Sequence, residues 1–190
     1  VSGVGDGKFN PDGTVTRAEF LKMAMDSLGI VGHAYRDGEC LDATNDDWYC
    51  YYLQGALDKD IIPKEMIENC NVTKVTKTLA EATDDKKAVT TDVNVYTGKF
   101  DGDKPITREE MAAIAVRCKN YKMRRLTDWD NERRYPIFSF KDSDEIDEKY
   151  ISDVVEAYNL NYIDGMEDGR FAPKENLTRA QAAVVMNNLK

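Results

Sequence analysis

The chain has 190 residues, 42% apolar and 32% charged, a balance that fits a folded, soluble body and excludes a disordered tail. Its formal net charge of −9 argues against a broad nucleic-acid surface, which needs a basic excess. No apolar run approaches the roughly 18 residues that cross a bilayer, so no membrane span is expected.

The chain opens on a glycine-rich turn without a leader pattern, as expected of a mature or excised piece of something larger. Residues 7–20 follow as GKFNPDGTVTRAEF. Asn10, Asp12, Gly13 and Glu19 sit close to the positions of a calcium loop. With Gly13 at the sixth position, however, the first position is Lys8, which cannot ligate a cation. No metal or cofactor site is therefore read here. The other reading is a turn feeding a capped helix. Thr16 is an N-cap and Glu19, at the third helical position, reaches back to the cap's own N–H.

The same stretch returns twice. Residues 98–110 read GKFDGDKPITREE and residues 169–181 read GRFAPKENLTRAQ. Each has Gly, a basic residue, Phe, a turn, an aliphatic residue, Thr-Arg and then Glu or Gln. The spacing from Gly to Thr is constant across Gly7–Thr16, Gly98–Thr107 and Gly169–Thr178, so the unit is triplicated. The third copy places Arg170, Ala172, Lys174 and Gln181 on calcium-loop positions, which removes that reading for the family of copies. Thr16, Thr107 and Thr178 are predicted caps, with Glu19, Glu110 and Gln181 as their partners. Each cap contributes roughly 1 kcal/mol. Apolar residues at helical spacing follow, Met111, Ile114, Ala115 and Cys118 in one copy and Ala182, Val185, Met186 and Leu189 in another.

A second element precedes the turn. Tyr35-Arg36-Asp37 leads into a helix with Trp48, Tyr52, Gly55 and Ile61, and Phe140-Lys141-Asp142 into one with Tyr150, Val154, Ala157 and Ile163. Trp48 and Tyr150 each lie thirteen residues before the isoleucine, and at helical spacing both read as core. Val1-Ser2-Gly3 looks like the end of such a helix, so the chain is expected to hold about two and a half units. The units are 1–34, partial; 35–121, with an insertion at about 63–95; a charged linker at 122–136 carrying Arg124, Arg125, Arg133 and Arg134; and 137–190. The Thr-, Lys- and Asp-rich insertion reads as a surface excursion with a short helix near Val75–Thr83. Asn71-Val72-Thr73 matches a glycosylation sequon of low specificity. Cys40, Cys50, Cys70 and Cys118 have no CxxC spacing; free thiols and one or two disulfides both remain open.

The arginines stand out. Arg17, Arg108 and Arg179 each occupy the first helical position, where a cation opposes the helix dipole. A guanidinium fork beside free helix-start N–H groups would receive a carboxylate or phosphate. A salt bridge within the chain is the competing reading. The lone His33 has no Ser or Cys partner, and Asp46-Asp47 or Asp84-Asp85 would serve as a glycosidase pair only if folding opposed two carboxyls in a cleft. No enzyme activity is read from the sequence.

These motifs together resemble the S-layer homology module: F/Y-x-D at Tyr35–Asp37 and Phe140–Asp142, the Trp48 and Tyr150 helices, and G-x-F-x-P leading to Thr-Arg-x-Glu. The resemblance implies a mainly α fold, a pseudo-threefold, three-pronged spindle of helix–loop–helix repeats around a central helical bundle. It implies a non-catalytic, extracellular module of a bacterial surface protein. Its grooves would bind secondary cell-wall polysaccharide, in this family often through a pyruvate ketal, with Arg17, Arg179 and Arg108 as ligand residues in that order. Glu109 and Glu110 are expected to neutralise Arg108. Four departures stand against the pattern: Gly102 for Pro11 and Pro173, Glu109 where the other copies have Ala, Gln181 for Glu, and Asp60 where the family has Gly. The alternative is a self-assembling surface-layer or fibre subunit whose partners are copies of itself.

Overall fold

The computed structural model describes residues 6–33, 39–44, 46–80, 89–124 and 140–190. Val1–Gly3, the Tyr35–Asp37 lead-in, Asp84-Asp85 and most of the 122–136 linker lie outside these. In chain order the elements are α1 (Arg17–Ser27), β1 (Glu39–Cys40), β2 (Ala43–Thr44), α2 (Cys50–Leu57), β3 (Glu68–Ala80), β4 (Val89–Lys99), α3 (Arg108–Arg124), α4 (Ile151–Asn159) and α5 (Arg179–Asn188).

This is not the mainly α spindle expected above. Two antiparallel sheets accompany the helices, β1 with β2 and β3 with β4. The second is a long hairpin whose register runs from Glu68 opposite Lys99 through Val75 opposite Val93 to Ala80 opposite Val89. The short helix expected near Val75–Thr83 is also wrong over its described part, because Val75–Ala80 is strand. Polar composition concealed a period of two. Val89, Thr91, Val93, Val95 and Thr97 place a β-branched residue at every second position, and the facing VTKVTKT is β-branched at five of its seven positions, which suits a half-exposed hairpin and disfavours a helix.

The helix starts follow from local chemistry. Thr16 Oγ1 accepts from the Glu19 N–H at 3.2 Å, and Glu19 accepts from the Thr16 N–H at 2.9 Å. The same two-way exchange joins Thr107 with Glu110 and Thr178 with Gln181. The ends of α2 and α4 match as well. Asp60 and Asn161 sit at φ 53° and 57°, the left-handed conformation that ends a helix, and the next residues, Ile61 and Tyr162, donate back to Ala56 and Ala157 at 2.9 Å. Asp60 thus adopts the conformation for which the family pattern uses glycine.

The matching ends re-register the second element. Tyr49 and Tyr150 directly precede α2 and α4 and are both buried, whereas Trp48 is 52% exposed. Tyr49, not Trp48, is the core counterpart of Tyr150, with Ile62 rather than Ile61 opposite Ile163. The lead-in shifts too. The Asp142 carboxylate accepts from the Phe171 and Ala172 N–H groups, both at 2.8 Å. In the preceding copy Asp42 does this for Phe100 and Asp101, at 2.8 and 2.9 Å. Gly102 has a local cause, since a Cβ there would lie 2.6 Å from the Tyr49 ring.

α3 forms the centre. Met111 through Val116 and Cys118 are fully buried apart from half-buried Arg117, which ties α3 to Asp153 of α4. A helix apolar on nearly every side belongs inside a body, not on its surface. α1 packs on α2, α3 and α5, and α4 packs on α3. Among the described residues no helix is long and apolar enough to cross a membrane.

Candidate functional site

The triplicated stretch builds a closed set of junctions. Each Thr-Arg helix start docks on the Gly/Phe turn of another copy. The Arg17 N–H donates to the Lys104 carbonyl at 2.9 Å, Arg108 to Glu175 at 3.0 Å and Arg179 to Gly13 at 2.8 Å. One residue on, Ala18 donates to Gly102, Glu109 to Pro173 and Ala180 to Pro11. Single β-bridges pair Thr16 with Pro105, Thr107 with Asn176 and Thr178 with Thr14. The first copy therefore holds the second, the second holds the third, and the third returns to the first.

This changes the setting of the three arginines. Their helix-start N–H groups are not free; the neighbouring turn and the capping threonine use them. Each guanidinium lies over the phenylalanine of the turn it docks on, at 5.9 Å for Arg17 and Phe100, 5.1 Å for Arg108 and Phe171, and 5.3 Å for Arg179 and Phe9. Each also donates to that phenylalanine's carbonyl, at 2.6, 2.7 and 2.9 Å. The arginine is a clamp between copies, which accounts for a cation where the dipole disfavours one.

The three clamps differ in counter-charge. Arg17 is buried and its fork closes on the Glu110 carboxylate through Nε and Nη2. Arg108 is also buried, but its partners are carbonyls, Phe171 O and Asp164 O, with no carboxylate in ion-pair range among the described residues. Neither Glu109 nor Glu110 neutralises it. Burial pulls the Arg108 pKa down, against the opposing charges of Glu175, Asp142 and Asp164. Arg179 is half-buried.

A cleft of about 470 Å³ opens beside the first junction. Its lining includes Arg17, Glu110, Tyr150, Lys104, Glu109 and Lys174. Glu109 is buried and accepts from the Asp147 N–H at 3.1 Å and from Lys174 Nζ at 2.7 Å. Burial raises the Glu109 pKa against the pull of Lys174. Lys174 also meets Asp147 at 2.6 Å, and that pairing holds the Asp147 carboxyl low. Burial, then the Glu110 charge, raises the Tyr150 phenol. The walls thus offer ion pairs that can donate and accept at once, the surface that a polyhydroxylated ligand needs. Arg108 and Arg179 lie outside this cleft. The sequence reading missed Lys104, Glu109 and Lys174 as lining residues; their signal was position in the turn and helix start, which becomes meaningful only once the copies dock. Among the described residues no cluster of His, Cys, Asp and Glu is arranged to hold a metal ion.

Repeated capped helices, clamped copy to copy around an inter-copy cleft, define a repeat-built module. Residues 1–21 and 139–183 match the family described as S-layer homology domain, and these parts of the chain belong to that family. It is similar to an amylopullulanase of Thermoanaerobacterium thermosulfurigenes (32% identical), to exoglucanase XynX of Acetivibrio thermocellus (33%) and to an endoglucanase of Bacillus sp. strain KSM-635 (30%). Each match covers 100% of this chain but only 8%, 14% and 16% of the respective relative.

Proposed function

We propose that this chain is a non-catalytic anchoring module that holds an exported bacterial protein to cell-wall polysaccharide. The observation that carries the reading is the cleft beside the Arg17–Glu110 junction, in a chain with segments of the S-layer homology family. Paired charges along its walls suit sugar hydroxyls, and lysines among them suit an acidic substituent such as a pyruvate ketal. The relatives are named for enzymes, yet the similarity occupies a small share of each. This supports a role carried by a segment, with any catalytic work elsewhere in a longer protein.

The arginines enter this proposal in a changed order. Arg179 leads, being half-buried; Arg108 follows, because its charge has only carbonyls against it; Arg17 comes last, because Glu110 closes its fork. The test is co-sedimentation of the protein with purified cell walls before and after the secondary polysaccharide is extracted, and with polymer lacking the pyruvyl group. Binding that survives extraction of the polysaccharide would overturn the anchoring reading.

A further inference from the structure

We propose that the outer edge of β4 is an interaction surface for a second copy of this chain, joining two hairpins antiparallel about Val93. Polysaccharide binding plays no part in this contact, which stands or falls apart from the anchoring reading. At its base the hairpin is tied to the body, where the Tyr96 hydroxyl donates to the Leu57 carbonyl at 3.4 Å. Farther out, Val75, Val89 and Val95 are exposed. No further strand pairs with β3 or β4 among the described residues. A two-stranded ribbon is marginal by itself, and an open edge is a template for another strand.

The two edges are unequal. β3 carries Lys74 and Lys77, the residue type that keeps natural edges from pairing. β4 has no proline, and no lysine before Lys99 at its base. Asp92 is the one charge in 89–97, and Lys74 meets it at 2.9 Å and Thr76 at 2.8 Å.

The occupant follows from the order of residues along this edge, which is close to a palindrome about Val93. Antiparallel pairing with Val93 opposite Val93 sets Thr91 against Val95 and Val89 against Thr97, all β-branched. It also sets each Asp92 against the other copy's Asn94, whose amide can donate to the carboxylate. Centring the pair on Asp92 instead would oppose two like charges, and a slip of one residue would bring the β-branched face against the polar one. Charge and pattern therefore select one register. In it, the two hairpins form one four-stranded sheet with a continuous β-branched face, the strand number and face that a sheet needs for stability.

The experiment is sedimentation velocity of the full chain over a concentration series reaching the millimolar range. A monomer–dimer equilibrium is expected. Asn94→Asp places an acid opposite Asp92 twice across the contact and should raise the dissociation constant roughly tenfold. Within one hairpin residue 94 faces Lys74, so the same change keeps β3 and β4 paired. Hydrogen exchange over Glu68–Lys99 verifies this. The double variant Asp92→Asn with Asn94→Asp exchanges the two groups and restores an acid opposite an amide. It should return to within about threefold of wild type. A chain that stays monomeric at every concentration, or a dimer indifferent to Asn94→Asp, would overturn the proposal. A double variant as weak as the single one would overturn it as well.

Discussion

The first and second junctions share a backbone and differ in one residue's charge. At both, an arginine at the first helical position crosses to the next copy, covers a phenylalanine ring and donates to its carbonyl. The third helical position of the next copy is Glu110 at the first junction and Gln181 at the second. The carboxylate completes Arg17, whereas Arg108 is left with carbonyls. A helix cap can thus set the electrostatics of a neighbouring copy, because the side chain that closes the capping box also faces the arriving arginine.

Breaking the first junction should have the largest effect. Arg17→Ala leaves the buried Glu110 carboxylate without its cation and should cost roughly 3–5 kcal/mol in chemical denaturation. Arg108→Met, which leaves no buried carboxylate stranded, should cost markedly less in the same measurement. The turns provide the next contrast. Asp142 is buried and receives two N–H groups, so Asp142→Asn should lose about 1–3 kcal/mol. Asp42→Asn, at an exposed carboxylate with the same two contacts, should lose less than about 1 kcal/mol. Converting the second junction into the first is subtler. Gln181→Glu keeps the cap and offers Arg108 a carboxylate, so a gain of about 1 kcal/mol is expected in thermal or urea unfolding. An unchanged midpoint would show that Gln181 does not face Arg108 as Glu110 faces Arg17.

The smallest expected effect is a pH dependence of opposite sign at two carboxyls sharing Lys174. Asp147 is held below its ordinary pKa, so its contribution is present above the usual Asp range and fades as pH falls through the lowered value. Glu109 is raised by burial, so its contribution is present below the usual Glu range and is lost as pH rises through the raised value. Relative to wild type, Asp147→Asn should look progressively worse as pH rises, and Glu109→Gln progressively better. Unfolding curves collected from about pH 3 to 7 would check both slopes.

Local chemistry was legible in the sequence, and relations between copies were not. Thr-Arg-x-Glu announced a helix start because the cap and its partner lie three residues apart. The destination of the arginine could not be read, because Glu110 is 93 residues from Arg17. The aromatic-x-Asp pattern points to Asp37 as the lead-in aspartate, through its neighbouring tyrosine. Asp42 lacks that aromatic label, and only its two bonds to the Phe100 turn identify it. The hairpin was missed for a different reason. Its threonines and lysines read as solvent-facing loop, although the β-branched residues at alternate positions of Val89–Thr97 are the stronger signal. The Trp48 register failed by a single residue, since Trp48 and Tyr49 are adjacent aromatics and only burial distinguishes them.

The return of the third copy to the first sets an order of events in folding. Leu177 to Ala180 bond to residues 11–15, contacts that span most of the chain. The first junction can form once residue 110 is available, but the last link must wait for residue 180. Contacts of such sequence separation are slow to form, because the ends of a long loop must first meet. For a chain supplied from its N-terminal side, the ring stays open until α5 is available.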